Sequence, residues 1–225
     1  MIFAVSTRRK WLHSPLRRFI IVIAICSFRP FGVDSVAQVK YAQKGEGMTL
    51  LGLGYSSLND IAVWSVQANY TQEARTAIGI HASISESPIT RTLGVSVEHA
   101  IRKPDTSYPL GFVILLSAAR AWIRPKLSYA AVTIEGSAFT GGAAIYLAYP
   151  NSPLLPFVQL TRTFSSIGSG NLVARTQDTG FAVGLDVVVG RQGKPRIILT
   201  PGVLFTQEQS AFAFSLAIVL NHSTK

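Results

Sequence analysis

A two-residue hydrophobic period runs through most of this chain and constrains its fold more than any other feature. In IAVWSVQANYT, Trp64, Val66, Ala68 and Tyr70 fall on one side of an extended strand, and Ser65, Gln67 and Asn69 on the other. The pattern recurs. In RTAIGIHASIS, Ile78, Ile80, Ala82 and Ile84 oppose Arg75, Gly79, His81 and Ser83, and in TRTLGVSVEH, Leu93, Val95 and Val97 oppose Thr92, Gly94, Ser96 and Glu98. Near the end, Phe212, Phe214, Leu216, Ile218 and Leu220 oppose Ala213, Ser215, Ala217 and Asn221. No long 3.6-residue period, heptad array or low-complexity segment interrupts this, so the region reads as one all-β domain.

The first 37 residues differ from the rest. Arg8, Arg9, Lys10, Arg17 and Arg18 precede the apolar run FIIVIAICSF, and SVAQ follows with small residues at Ser35 and Ala37. Basic, apolar, then small-x-small is the order of a secretory signal peptide, here cleaved after Ala37. A run of about ten apolar residues is half of what a membrane-spanning helix needs. The expected division is therefore a signal peptide over 1–37 and a barrel domain over 38–225. Cys26, the one cysteine, lies in the segment that would be removed and follows Ile25 rather than a small residue, which disfavours a lipid anchor. Neither disulfides nor thiolate chemistry is then expected.

The formal charge of +10 falls to +5 without that segment, with 15 basic and ten acidic residues left. They are scattered singly, and no basic stripe interleaved with aromatics is present, so nucleic acid is not an expected partner. GSGN and TGG are glycine-containing turns with no helix behind them, the acidic residues are too dispersed for a calcium loop, and no cofactor or metal is expected.

About eleven alternating runs start near Met48, Ile61, Arg75, Thr90, Pro109, Lys126, Gly142, Leu154, Gly180, Arg196 and Ala211. Turn signals such as SSLND, SESP, RKPDTSYP, PNSP and GRQGKP separate most of them. A strand of nine or ten residues at ~3.3 Å each, tilted about 40°, crosses roughly 23 to 25 Å, the height of the apolar band on a membrane barrel.

Sidedness decides between two closed β architectures. A secreted lipocalin-like barrel binding an apolar ligand has apolar groups inside and charges outside, and a membrane barrel has the reverse. The polar faces here consist mostly of Ser, Thr, Gly, Ala, Asn and Gln, with single charges at Arg75, Glu98, Glu135 and Asp186. Only 14% of the chain is charged and its mean hydropathy is +0.32, too little charge for a water-exposed exterior. In GFAVGLDVVVG the oily face is Phe181, Val183, Leu185, Val187 and Val189, and the other carries Asp186, which is expected in a narrow polar lumen, paired with Arg75 or solvated there.

On signal peptide, alternation and strand length, the chain resembles the small outer-membrane β-barrel proteins of diderm bacteria. The resemblance implies a single closed antiparallel up-and-down transmembrane β-barrel in the bacterial outer membrane, with outer-membrane lipids or glycolipids around it. It also implies the barrel assembly machinery as a partner during insertion, although LNHSTK departs from the terminal aromatic residue usual in the class. The even strand number of such barrels implies ten strands from Ile61 onward, leaving MTLLGLGY as a leading segment or plug, or twelve if the connection Phe164 to Thr179 hides a strand around LVART. Tyr55, Tyr70, Tyr108, Trp122, Tyr149 and Phe164 would suit the interfacial girdles. The expected role is structural, surface-interacting or that of a narrow channel, exercised through loops such as Arg102 to Pro109 and Phe164 to Thr179.

Catalytic candidates are few. IHAS sets His81 and Ser83 on one face, with Glu98 on the next run, the residue types of a Ser/His/acid set. The arrangement is loosely similar to outer-membrane lipid A deacylases, but Ile84 stands where that family has Asn, and the pair projects to the lumen. The alternative for these residues is a lumen polar network of Arg75, His81, Glu98, Glu135 and Asp186.

Overall fold

The computed structural model describes residues 46–223, apart from short segments in the connections (59–60, 74, 87–88, 106, 125–133, 150–151, 170–171, 191–193 and 207–209). The proposed signal segment lies outside the described residues.

Ten strands follow in chain order: β1 (Glu46–Leu58), β2 (Ile61–Glu73), β3 (Thr76–Glu86), β4 (Ile89–Arg102), β5 (Leu110–Arg124), β6 (Ile134–Leu147), β7 (Leu154–Ser169), β8 (Leu172–Val189), β9 (Arg196–Thr206) and β10 (Ser210–Ser223). Each pairs antiparallel with its neighbour in sequence, and β1 pairs with β10, so the sheet closes into an up-and-down barrel without a free edge. The expected all-β, ten-strand closed barrel is the fold observed.

The ten strands are not the ten expected. MTLLGLGY is neither leader nor plug but most of β1, paired on both sides. The run counted from Lys126 falls largely in 125–133, outside the described residues, and Gly142 does not begin a strand but sits in the middle of β6. The TGG sequence had suggested a turn. In a strand, Gly142 instead lets β6 approach β7, because a Cβ there would meet the Leu160 carbonyl at 2.6 Å. The presumed long connection from Phe164 to Thr179 is also largely strand, shared between β7 and β8, whose register runs to Ser169↔Leu172.

Followed once around the barrel, the register Val189, Ile197, Ile218, Leu51, Ala68, Ile80, Val95, Ala118, Phe139, Phe164 returns to β8 at Gln177, twelve residues from its start. Ten strands with that stagger tilt about 40° from the barrel axis. All of these positions face outward. Leu51, Leu53, Val66, Ile80, Leu93, Val95, Leu116, Leu160, Val183, Val203 and Leu216 are among the exposed apolar side chains of the outer wall. With the tilt, the apolar band they belong to is about 25 Å high, the thickness of a bilayer's hydrocarbon layer on such barrels. Burying this much apolar surface in water would require a partner, and a bilayer supplies one all round.

Aromatic side chains edge the band. Tyr55, Trp122 and Phe164 lie at the end remote from the chain termini, with Tyr55 against the Trp64 ring at 4.9 Å between centroids. Tyr70, Tyr108 and Tyr149 lie towards the terminal end. The connections Arg102 to Pro109 and Ser169 to Leu172 are at opposite ends of the barrel, since an odd number of strands separates them.

Candidate functional site

Inward-facing positions divide the lumen into two levels. All ten strands contribute to one apolar cluster, which is thickest towards the terminal end, where Leu50, Ala77, Ala100, Val113, Leu115, Ala144, Tyr146, Phe157, Ile198 and Val219 lie, and continues towards the other end through Val63, Leu204 and Ala211. Tyr146, Met48, Leu50, Leu115 and Ile198, all in this cluster, are among the largest fully buried side chains described. Eight strands already enclose a lumen that side chains can fill, so ten need large groups to close it. Two of them are accommodated by glycine across the strand pair. The Tyr146 ring lies over Gly111 and the Phe157 ring over Gly184, where a Cβ would collide with either ring. Phe157, which breaks the polar alternation of its run, is thus an inward residue with a lumen-closing function.

Above this closure the inward wall is small and hydroxylated: Ser65, Ser83, Ser85, Thr90, Thr92, Ser96, Ser117, Thr140 and Thr161 are buried there. Ser83 and Thr92 share a hydrogen bond of 2.6 Å, and Thr140 and Thr163 one of 3.0 Å. Cross-strand hydroxyl pairs of this kind supply partners locally, without charge. Between the levels lie the buried amides of Gln159 and Asn69. Neither Gln159 amide atom, nor Nδ2 of Asn69, has a hydrogen-bond partner among the described residues.

The residues singled out from the sequence do not all converge. Asp186 faces inward, fully buried, and accepts a hydrogen bond from the Thr200 hydroxyl at 2.8 Å. Its expected partner Arg75 is exposed in the turn between β2 and β3, four strands away by the shorter route around the barrel. The bulge between Thr71 and Glu73 ends regular pairing there, so Arg75 never enters the lumen. Glu135 also belongs elsewhere. It faces outward from β6 beside Trp122 and receives Arg120 at 2.5 Å, with both side chains more than half exposed.

His81, Ser83 and Glu98 all face inward and are buried, yet they do not form a triad. The imidazole lies over Gly94, its register partner, and the Ser83 hydroxyl is taken by Thr92. Glu98 pairs with Ala77, four residues along the strand from His81, or ~13 Å. That spacing is well beyond the hydrogen-bond reach that nucleophile, base and orienting acid require. Among the described residues no group of three His, Cys, Asp or Glu could hold a metal.

The outer wall carries a group of residues that the sequence reading passed over. Arg91, Arg120, Arg124, Arg162 and Arg175 are all exposed and face outward from β4, β5, β7 and β8, at or beyond the aromatic rim. Two guanidinium groups sit over girdle rings, Arg120 at 5.8 Å from the Trp122 centroid and Arg162 at 5.4 Å from that of Phe164. Their sequence signal was parity: each falls in step with lipid-facing residues, as in Arg120 with Ala118 and Trp122.

At the terminal end, Arg102 stacks on Tyr108 at 3.8 Å, and Asp105 accepts the backbone N–H groups of Ser107 and Tyr108. This orders the β4–β5 connection. Lys103 beside it has its pKa lowered to about 8, first by burial and then by the Arg75 charge.

No protein-family model matches the chain, and no curated protein does. Among solved structures, it is similar to the translocator domain of the autotransporter NalP from Neisseria meningitidis, with 11% identity over 90% of this chain and 97% of that one, at a TM-score of 0.53. The β domain of the Bordetella autotransporter BrkA aligns with 10% identity, over 80% of this chain and all of that one, at 0.46. Ail, the attachment invasion locus protein of Yersinia pestis, aligns with 7% identity over 80% and 100%, at 0.36. At these identities the likeness concerns the fold alone: the chain has the closed antiparallel barrel fold of outer-membrane β-barrel proteins.

Proposed function

We propose that the chain is a small outer-membrane barrel whose role is structural or surface-interacting rather than that of a wide diffusion pore. One observation carries this reading: the terminal half of the lumen is filled by the thickest part of one apolar cluster, in which Tyr146, Phe157, Leu115 and Leu50 meet. An aqueous path would have to displace Tyr146, Phe157, Leu115 and Leu50, and rehydrate their surface at ~25 cal/mol per Å². The apolar exterior supports membrane insertion and runs against a soluble ligand-carrying barrel, which needs the opposite sidedness. With the chain termini towards the periplasm, the arginine-bearing rim and the β7–β8 hairpin face the cell exterior.

The first experiment is gel migration of the membrane-extracted protein in SDS, unboiled against boiled. A closed membrane barrel has its backbone hydrogen bonds satisfied internally and stays folded until heated, so a heat-dependent shift is expected. Recovery in the soluble fraction with no shift would overturn the reading. In planar bilayers, the folded protein is expected to lack the steady large conductance of an open pore.

A further inference from the structure

We propose that the outer wall of β2–β5 binds a lipid carrying a phosphate monoester, its headgroup held by Arg91, Arg120 and Arg124 and one acyl chain laid in the groove below them. This rests on the membrane reading given above.

The headgroup end is built around Trp122. Arg91 is its direct register partner on β4, and Arg120 and Arg124 flank it two residues away on β5, all on the outer face. Arg91 lies within roughly 5 to 8 Å of each of the other two, and Arg120 and Arg124 are four residues, or ~13 Å, apart along β5, so a phosphate over Trp122 can be reached by Arg91 together with the long side chain of either or both. Among the described side chains, three guanidinium groups stand against one carboxylate, Glu135, a positive excess. Arg donors suit phosphate oxygens because two parallel N–H bonds can be made at once. The cluster also lies at the edge of the apolar band, where a lipid headgroup would be. In contrast, no charged side chain is found among the described outward positions of β9, β10 and β1. A solubilising surface would not be confined to one side in this way.

The acyl end is a separate observation. A shallow groove of about 190 Å³ runs on the outer wall, lined by Val66, Ala68, Ile80, Ala82 and Leu93. It exists because Ala68 and Ala82 are small between the larger side chains of β2, β3 and β4. Leu93, at its upper end, is the direct register partner of Arg120. Headgroup cluster and groove are therefore continuous along the direction in which a lipid lies in the bilayer. Charge selects the phosphate, and the groove favours a chain packed against the barrel over one free in the bilayer.

The test is native mass spectrometry of the detergent-solubilised barrel, its folded state first verified by the SDS heat shift. The probes are phosphatidic acid and phosphatidylcholine with identical acyl chains. Retention of phosphatidic acid at least about fivefold above phosphatidylcholine is expected. Arg91→Gln/Arg120→Gln/Arg124→Gln should abolish the preference, and Ala82→Phe should weaken retention of long-chain phosphatidic acid while leaving a short-chain analogue unchanged. Equal retention of both lipids by the folded protein, or an unchanged preference in the triple variant, would overturn the proposal. Displacement of the adduct by millimolar inorganic phosphate alone, with no chain-length dependence, would also overturn it by reducing the site to a free-anion site. Absence of the SDS shift would instead fault the membrane reading.

Discussion

Thr200 donates its hydroxyl to Asp186 at 2.8 Å across the β8–β9 pair, with both residues essentially excluded from solvent. Asp186 thus has a neutral donor across the strand pair, while Arg75, the partner expected for it, lies in the β2–β3 turn. Thr200→Val keeps the shape and removes the donor, which should cost about 1–3 kcal/mol. Thr200→Ser should recover most of it. Urea unfolding midpoints in detergent micelles measure the difference, and a Thr200→Val midpoint equal to wild type would argue against the bond.

The rings of Tyr146 and Phe157 lie where Gly111 and Gly184 leave room. Gly184→Val forces a side chain into the Phe157 ring and should destabilise the barrel by roughly 1–3 kcal/mol, as overpacking does. Pairing it with Phe157→Ala should relieve part of that loss. The same unfolding series measures both, and simple additivity of the two changes would contradict the contact.

If the apolar cluster closes the lumen, shrinking it should open a path. Tyr146→Ala/Phe157→Ala is expected to give discrete conductance steps in planar bilayers, where wild type gives none of comparable size. A folded double variant, still heat-shifted in SDS, that remains silent would mean that other groups close the barrel.

Depth on the outer wall should set the cost of a charge. Val95→Arg, in the middle of the apolar band, should cost about 2–4 kcal/mol, whereas Ser137→Arg, at the level of Arg120, should cost at most about 1 kcal/mol. Refolding into lipid vesicles followed by denaturant titration compares them, and equal costs would contradict the membrane placement.

Lys103 gives a pH dependence outside the membrane-spanning strands. Its folded pKa is lowered to about 8, below the ordinary lysine value of 10.5. Between these values the unfolded chain binds more protons than the folded one, so stability rises with pH there and is flat with respect to this group below about 8. Wild type should gain stability between pH 8 and 10 relative to Lys103→Met. Parallel pH profiles of the two proteins would exclude Lys103 as the source.

Alternation alone determined that this chain forms antiparallel strands, and the parity of GFAVGLDVVVG places Asp186 in the lumen, because adjacent side chains of a strand must point to opposite faces. Scarcity of charge determined which face meets lipid. Strand identity was less legible: TGG reads as a turn in one dimension, and only the approach of β7 explains glycine in the middle of β6. Register decided the rest. It separates Glu98 from His81, although parity gives both the same face, and it carries Glu135 to the outer wall beside Arg120. It also gathers Tyr146, Phe157, Leu115 and Leu50 from four strands into one lumen closure. Those relations depend on how far each strand slides past the next as the barrel closes. That stagger is a property of the whole ring and is not written in any single strand.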